Sequence, residues 1–341
     1  MNWKSPAMKI LKKNPHFKKV KKAVLKLYKL LKIMSKKQSV QESQAHVLFK
    51  RGVSYYADNL TAAEKPLQKA LTIYQRLEKK SKTYTFNVAS TLYNLACVFQ
   101  ETKRTKKAES SYTKALKMYR ALAQEDSETY TSYVAMTLHS LGLLYWKKRN
   151  FQRGEPAFCE AARIYRGLAE KTSDHAADLG DVLNNLGALY YFKGNLKRGE
   201  EVYTEALSIY STLSEKTPDY ISDVAMVLNN LGVIFHNMGD FSKAEKVYKD
   251  VLHTYSDLAQ NAPDHISRVA AALNNLGLFY WKTEDFHKAE EVYTEALSIY
   301  RTLSEKTPDY LPDVAMTLGN LGLLYTTVKD FYTTVKDFIP Q

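Results

Sequence analysis

Apolar positions between residues 180 and 212 fall into two helical runs. Val182, Leu183, Leu186, Leu189 and Tyr190 recur every three or four residues, and after the turn-forming pair Gly194 and Asn195 so do Val202, Tyr203, Ala206, Leu207 and Tyr210. That spacing puts each set on one face of a helix, and the brief interval between them predicts an antiparallel pair. The pattern repeats. Leu141, Leu186, Leu231, Leu276 and Leu321 stand 45 residues apart, each followed by glycine at 142, 187, 232, 277 and 322. Earlier units follow with one-residue slips, with Gly52 and Ala96 in the glycine slot. Tyr74, Tyr119, Tyr165, Tyr210, Tyr255 and Tyr300 mark a second slot at intervals of 45 or 46.

Such self-similarity predicts an all-α fold in which stacked helix pairs share one continuous core, with no size at which that core must split. Gly187 and Ala206 are small where helices must approach closely, and Tyr203 and Tyr210 are expected to fill the space between units; Tyr203, Tyr248 and Tyr293 are core positions. Thr-Pro-Asp-Tyr at 217–220 and again at 307–310 ends one helix, because proline cannot continue it, and offers Thr or Asp to cap the next. Six pairs are expected from about residue 41, then a seventh first helix ending near Tyr325, so that the array spans 41–325. Arg51 in the leucine slot and a shortened turn mark the first unit as an atypical cap. Residues 326–341 read as an aberrant tail: the heptapeptide YTTVKDF occurs at 325–331 and again at 332–338, with no second helix behind it. Leu318, Leu321 and Leu324 keep the seventh first helix apolar, as in an array that is truncated, rearranged or covered by another chain.

Within a unit, Leu276, Gly277, Tyr280, Ala289, Tyr293 and Ala296 follow the order of small and aromatic positions of the tetratricopeptide repeat, and the chain resembles that family over about 290 residues. The usual period is ~34 residues, so a period of 45 lengthens both helices. The Leu-Asn-Asn-Leu-Gly segments followed by Glu-Ala-Leu-x-Ile-Tyr look most like the long-helix repeats of kinesin light chain. The resemblance implies a right-handed α-solenoid whose concave wall, made by the first helices, binds peptides. It does not extend to the chaperone-binding members, whose lysine and asparagine slots are filled here by Phe49 and Val53, Tyr93 and Cys97, His139 and Leu143.

The net charge of +13 changes the picture only at one end. Residues 1–38 hold thirteen lysines and no Arg, Asp or Glu, so residues 39–341 are neutral overall. In that segment Phe17, Val20, Val24, Leu27, Leu31 and Met34 form an apolar helical stripe, and Lys18, Lys22, Lys26 and Lys29 stand off it as a basic contact. Two readings stay open: an amphipathic helix docking on an anionic membrane surface, a nucleic acid or a partner's groove, or a cap packed on Val47 and Leu48. Lysines interrupt the apolar residues too often for a secretory signal, and no apolar run is long enough to span a bilayer. Cys97 and Cys159, far apart and in no metal-binding pattern, read as buried free thiols of a reducing, cytoplasmic compartment.

No phosphate loop, HExxH or nucleophile elbow is present, and neither an enzyme nor a cofactor is implied. The expected function is protein binding, as a scaffold or adaptor with a protein or peptide partner. On the first helices, Asn184 with Asn185, Asn229 with Asn230, and Asn274 with Asn275 repeat every 45 residues, and Asn94 and Asn320 occupy the second slot of outer units. A side-chain amide both donates and accepts, so a row of them can bond a peptide main chain whatever its side chains; the family resemblance gives such a ladder that role. The alternative is that one Asn of each pair bridges neighbouring helices. His139, Trp146, Tyr191, His236 and Trp281 lie on the same wall, either as anchor pockets or as packing between the long helices.

Overall fold

The computed structural model describes residues 38–55 and 59–338. Its chain divides into two compact units, Met1–Leu144 and Tyr145–Gln341. In the first, residues 38–55 form helix α1, followed by α2 (Leu60–Glu78), α3 (Thr85–Glu101), α4 (Thr105–Glu125) and α5 (Ser127–Lys147), whose last turn reaches the second unit. The second unit holds α6 (Phe151–Ala169), α7 (Ala176–Phe192), α8 (Leu196–Ser214), α9 (Ile221–Met238), α10 (Phe241–Asn261), α11 (Ile266–Lys282), α12 (Phe286–Lys306) and α13 (Leu311–Phe338). No strand occurs among the described residues. Odd-numbered helices are the first members of pairs and even-numbered ones the second, so the fold is the α-solenoid of stacked pairs that the period predicts.

The turns that close the second to sixth pairs share one backbone form. The residue before the second helix's cap adopts a left-handed backbone at Lys103, Arg149, Gly194, Gly239 and Glu284, with φ between 53° and 80°. Asn150, Asn195, Asp240 and Asp285 then cap α6, α8, α10 and α12, each side chain accepting from the backbone N–H three residues on. This satisfies one of the donors that a helix start leaves without a partner. A cation on the new helix also lies over an aromatic ring at the end of the old one: Arg153 over Tyr145, Arg198 over Tyr190, Lys243 over Phe235 and Lys288 over Tyr280.

In the pairs α7–α8, α9–α10 and α11–α12 the core holds a tyrosine set against a glycine. Tyr203, Tyr248 and Tyr293 are buried, and their rings occupy the space that a side chain on Gly187, Gly232 and Gly277 would fill. Tyr210 is buried beside Gly180 in the same manner, and its hydroxyl donates to Asp181 Oδ1 at 2.6 Å.

Three expectations need correction. Thr217 and Thr307 are extended but make no side-chain cap bond; Pro218 and Pro308 instead open short 3-10 turns that lead into α9 and α13. Helix α13 does not end near Tyr325 but continues to Phe338. Lys329, Asp330 and Phe331 stand where Glu284, Asp285 and Phe286 make the turn, yet Thr334 replaces the buried alanine of Ala289. A left-handed residue costs about 1–2 kcal/mol, and without the small residue that seats a second helix the uninterrupted helix is the lower state. Cys159 is exposed on α6 and Cys97 half-buried on α3, where it accepts from the Tyr112 hydroxyl; neither is a core thiol.

Candidate functional site

The first helices α7, α9, α11 and α13 run side by side in the second unit and bring their asparagines into register. Adjacent residues on a helix point about 100° apart, so the two amides of each pair meet different surroundings. Asn230 Nδ2 donates to Asn184 Oδ1 at 2.9 Å, and Asn275 Nδ2 donates to Asn229 Oδ1 at 3.3 Å. Asn184 Nδ2 in turn reaches Met226 Sδ at 3.8 Å. The second amide of one unit therefore holds the first amide of the unit before.

Asn274 departs most from a groove position. It is 95% buried, with Nδ2 donating to Thr317 Oγ1 at 2.8 Å and Oδ1 left without a protein partner. Asn275, one residue on, is exposed. Asn185 and Asn94 turn back on their own helices and donate to the carbonyls of Asp181 and Ser90. Asn320 is half-buried on α13, and His139 half-buried on α5 in the first unit.

Around this row lies a pocket of about 210 Å³. Asn229, Asn230, Val233, His236, Asn237, Tyr248, Asn275, Leu278, Phe279 and Lys282 line it, which unites amide donors and acceptors with an aromatic floor and one lysine. His236 packs against Phe241 and Phe279, and its Nδ1 is buried with no hydrogen-bond partner. Burial, with the Lys282 charge adding to it, holds its imidazole below the usual histidine range, so the neutral ring is favoured. Asn237 and Lys282 were not singled out from the sequence, although each stands one residue beyond His236 and Trp281 and the two are 45 residues apart.

The remaining aromatic residues are engaged in packing. Trp146 meets Phe151 and, edge-on at 4.9 Å, Phe192 of α7; Tyr191 meets Phe192; and Trp281 Nε1 donates to Thr327 Oγ1 at 3.3 Å. Toward the helix N-termini the wall becomes ionic. Asp223 has its pKa raised by burial and by Asp181, with Arg268 opposing, and Arg268 bonds Ser222. Lys18, Lys22, Lys26 and Lys29 lie outside the described residues. Among the described residues no helix is long and apolar enough to cross a membrane, and no group of His, Cys, Asp and Glu could hold a metal ion.

The tetratricopeptide repeat model matches residues 52–121 and, in three overlapping windows, 178–257, 223–302 and 268–331. The chain belongs to the tetratricopeptide repeat family. These repeats generally mediate protein–protein interactions on a non-catalytic scaffold. A comparison with curated proteins finds no match. Among solved structures, the chain is similar to BtubC (BKLC) from P. vanneervenii, with 23% identity, 75% of this chain and 92% of that one covered, and a TM-score of 0.56. A putative kinesin light chain from Podosopora anserina, with nearly identical repeats, gives 13% identity, 65% and 98% coverage, and a TM-score of 0.51. The signal transduction ATPase PH0952 from Pyrococcus horikoshii, which carries a tetratricopeptide repeat sensor, gives 16%, 88% and 45%, and 0.55. At these identities the likeness is one of fold.

Proposed function

We propose that the protein is a non-enzymatic cytoplasmic adaptor that holds an extended peptide segment of another protein along the first helices α7, α9 and α11. The observation that carries this reading is the pocket in which Asn229, Asn230 and Asn275 stand over His236 and Phe279. Its amides offer bonding to a main chain, and its aromatic floor accepts one side chain, so affinity would come mostly from backbone and selectivity from one anchor. The bonds from Asn230 to Asn184 and from Asn275 to Asn229 fix the amide planes before a peptide arrives, which lowers the ordering cost of binding.

A phage-displayed peptide library selected on the full chain supplies ligands for the test. Asn230→Ala with Asn275→Ala should weaken each selected peptide by about tenfold or more, since each hydrogen bond is worth about 0.5–1.5 kcal/mol. Affinity unchanged in a variant that stays folded would remove the groove from consideration.

A further inference from the structure

The first helices of the second unit carry two parallel rows. One helical turn beyond Asn230, Asn275 and Asn320 stand Val233, Leu278 and Leu323, and a separation of three residues keeps each amide and its apolar neighbour on one helix face. Asn230, Asn275, Val233 and Leu278 line the same pocket. Leu278 is 40% exposed and Leu323, on α13, is 50% exposed, so the apolar row is open to a ligand.

The interval between rungs is set by the helices. The bond from Asn275 to Asn229 makes α9 and α11 direct neighbours, and the bond from Asn274 to Thr317 does the same for α11 and α13. Helices in contact lie about 8–10 Å apart, so both rows repeat at about that distance. Three residues of a polyproline II helix rise about 9.3 Å and complete one turn, so every third side chain and every third carbonyl meet such a wall alike. A β-strand returns a side chain to one face every two residues, about 6.6 Å, and falls out of step with the rungs. An α-helix with apolar residues seven apart fits the interval at about 10.5 Å, but its own hydrogen bonds already occupy its backbone and leave the amide row nothing to bond. Polyproline II has no internal hydrogen bonds, and Asn230 and Asn275 each keep a second N–H after bonding the neighbouring amide.

We propose that the peptide of the groove reading, on which this inference rests, is a polyproline II segment with an apolar side chain at every third residue. Its apolar residues sit along Val233, Leu278 and Leu323, and carbonyls of the same period accept from Asn230 and Asn275. Spacing is thereby added to the single anchor as a source of selectivity.

Three fluorescein-labelled probes test the spacing on the full chain by fluorescence anisotropy: proline peptides of equal length, each with three leucines, set at intervals of two, three or four residues. The interval-three probe should bind at least about tenfold tighter than either of the others, because a slip in register takes at least one leucine off the apolar row. Leu278→Asp, at an exposed position, should abolish that preference while the melting temperature holds; Leu278→Ser replaces it should the aspartate lower the melting temperature. Equal or undetectable binding of the three probes would overturn the proposal, as would a tightest fit at interval two or four. A preference that survives in the Leu278 variant, or tighter binding of an alanine-rich helical peptide with leucines seven apart, would overturn it as well. The library-selected peptides judge the groove reading separately. If they weaken in Asn230→Ala with Asn275→Ala while the spacing preference is absent, the groove holds its peptide in another conformation and only this inference is lost. If they do not weaken, the groove reading falls and this inference with it.

Discussion

The ring of Tyr248 lies where a side chain on Gly232 would have to go: a Cβ at Gly232 would stand 2.6 Å from Tyr248 Cζ. Tyr203 with Gly187 and Tyr293 with Gly277 repeat this fit at 2.7 and 2.6 Å. Because the ring is clamped between two helices, it cannot yield without moving the pair apart. Gly232→Ala should therefore cost about 1–3 kcal/mol, the usual range for overpacking, despite alanine's better helix propensity. Gly322 of α13 occupies the same slot but has nothing within 4 Å of an added Cβ. Gly322→Ala should stabilise by up to about 1 kcal/mol. Opposite shifts of the urea midpoint for the two variants would check this.

The turn between paired helices supplies a second comparison. Glu284 holds φ at 62° and Gly239 at 80° in equivalent turns. A left-handed backbone strains a residue with a Cβ but not glycine. Glu284→Gly should raise stability by about 0.5–1 kcal/mol and Gly239→Ala should lower it by about 1 kcal/mol. Thermal unfolding of both variants gives the measurement.

The glycine and tyrosine slots were legible in the sequence because they repeat at one interval, and repetition turns a weak local signal into a strong one. Other features depended on neighbours. Asn274 and Asn275 are adjacent on a helix that turns 100° per residue, so only the placement of α13 beside α11 decides that the first is buried against Thr317 and the second exposed. The continuation of α13 was hidden for a related reason. Lys329 and Asp330 copy a turn, but whether a turn forms depends on what the next helix can bury. Cys159 reads as a buried thiol because no partner or metal pattern surrounds it in the sequence, yet it is exposed on α6, with its sulfur 3.7 Å from the Tyr190 hydroxyl of α7.

In the first unit, Arg104 makes a bidentate pair with Glu64, at 2.9 and 2.8 Å. The Arg104 hydrogen bond holds the Glu64 carboxyl below its usual range. A carboxylate with a lowered folded pKa adds stability above its unfolded pKa of about 4.3 and loses it as pH falls through the folded value. Both side chains are partly exposed, so solvent screening keeps the gain below about 1 kcal/mol. Glu64→Gln should be less stable than wild type at pH 7, and the gap should close between about pH 5 and pH 3. A gap independent of pH would mean that the pair acts through packing alone.

The two asparagines at 274 and 275 separate folding from recognition. Asn274→Ala removes a buried bond to Thr317 and leaves the Thr317 hydroxyl its remaining bond to the Asp313 carbonyl. The same change deletes an Oδ1 that has no protein partner. Losing one buried hydrogen bond costs about 0.5–1.5 kcal/mol, and removing an unsatisfied acceptor returns part of it, so the net loss should be about 1 kcal/mol, seen in unfolding. Asn275 is exposed, and its one bond, to Asn229, is long at 3.3 Å. Asn275→Ala should leave stability within about 0.5 kcal/mol of wild type, because alanine is the better helix former. Its effect should appear in the affinity for a groove peptide, which falls by about two- to tenfold for one lost bond. Measuring urea unfolding and peptide titration on both variants gives a cross-pattern: Asn274→Ala moves the first and Asn275→Ala the second. If Asn275→Ala instead lowers stability as much as Asn274→Ala and leaves peptide affinity per folded molecule unchanged, the amide row is a bridge between helices and the pocket loses its role in binding.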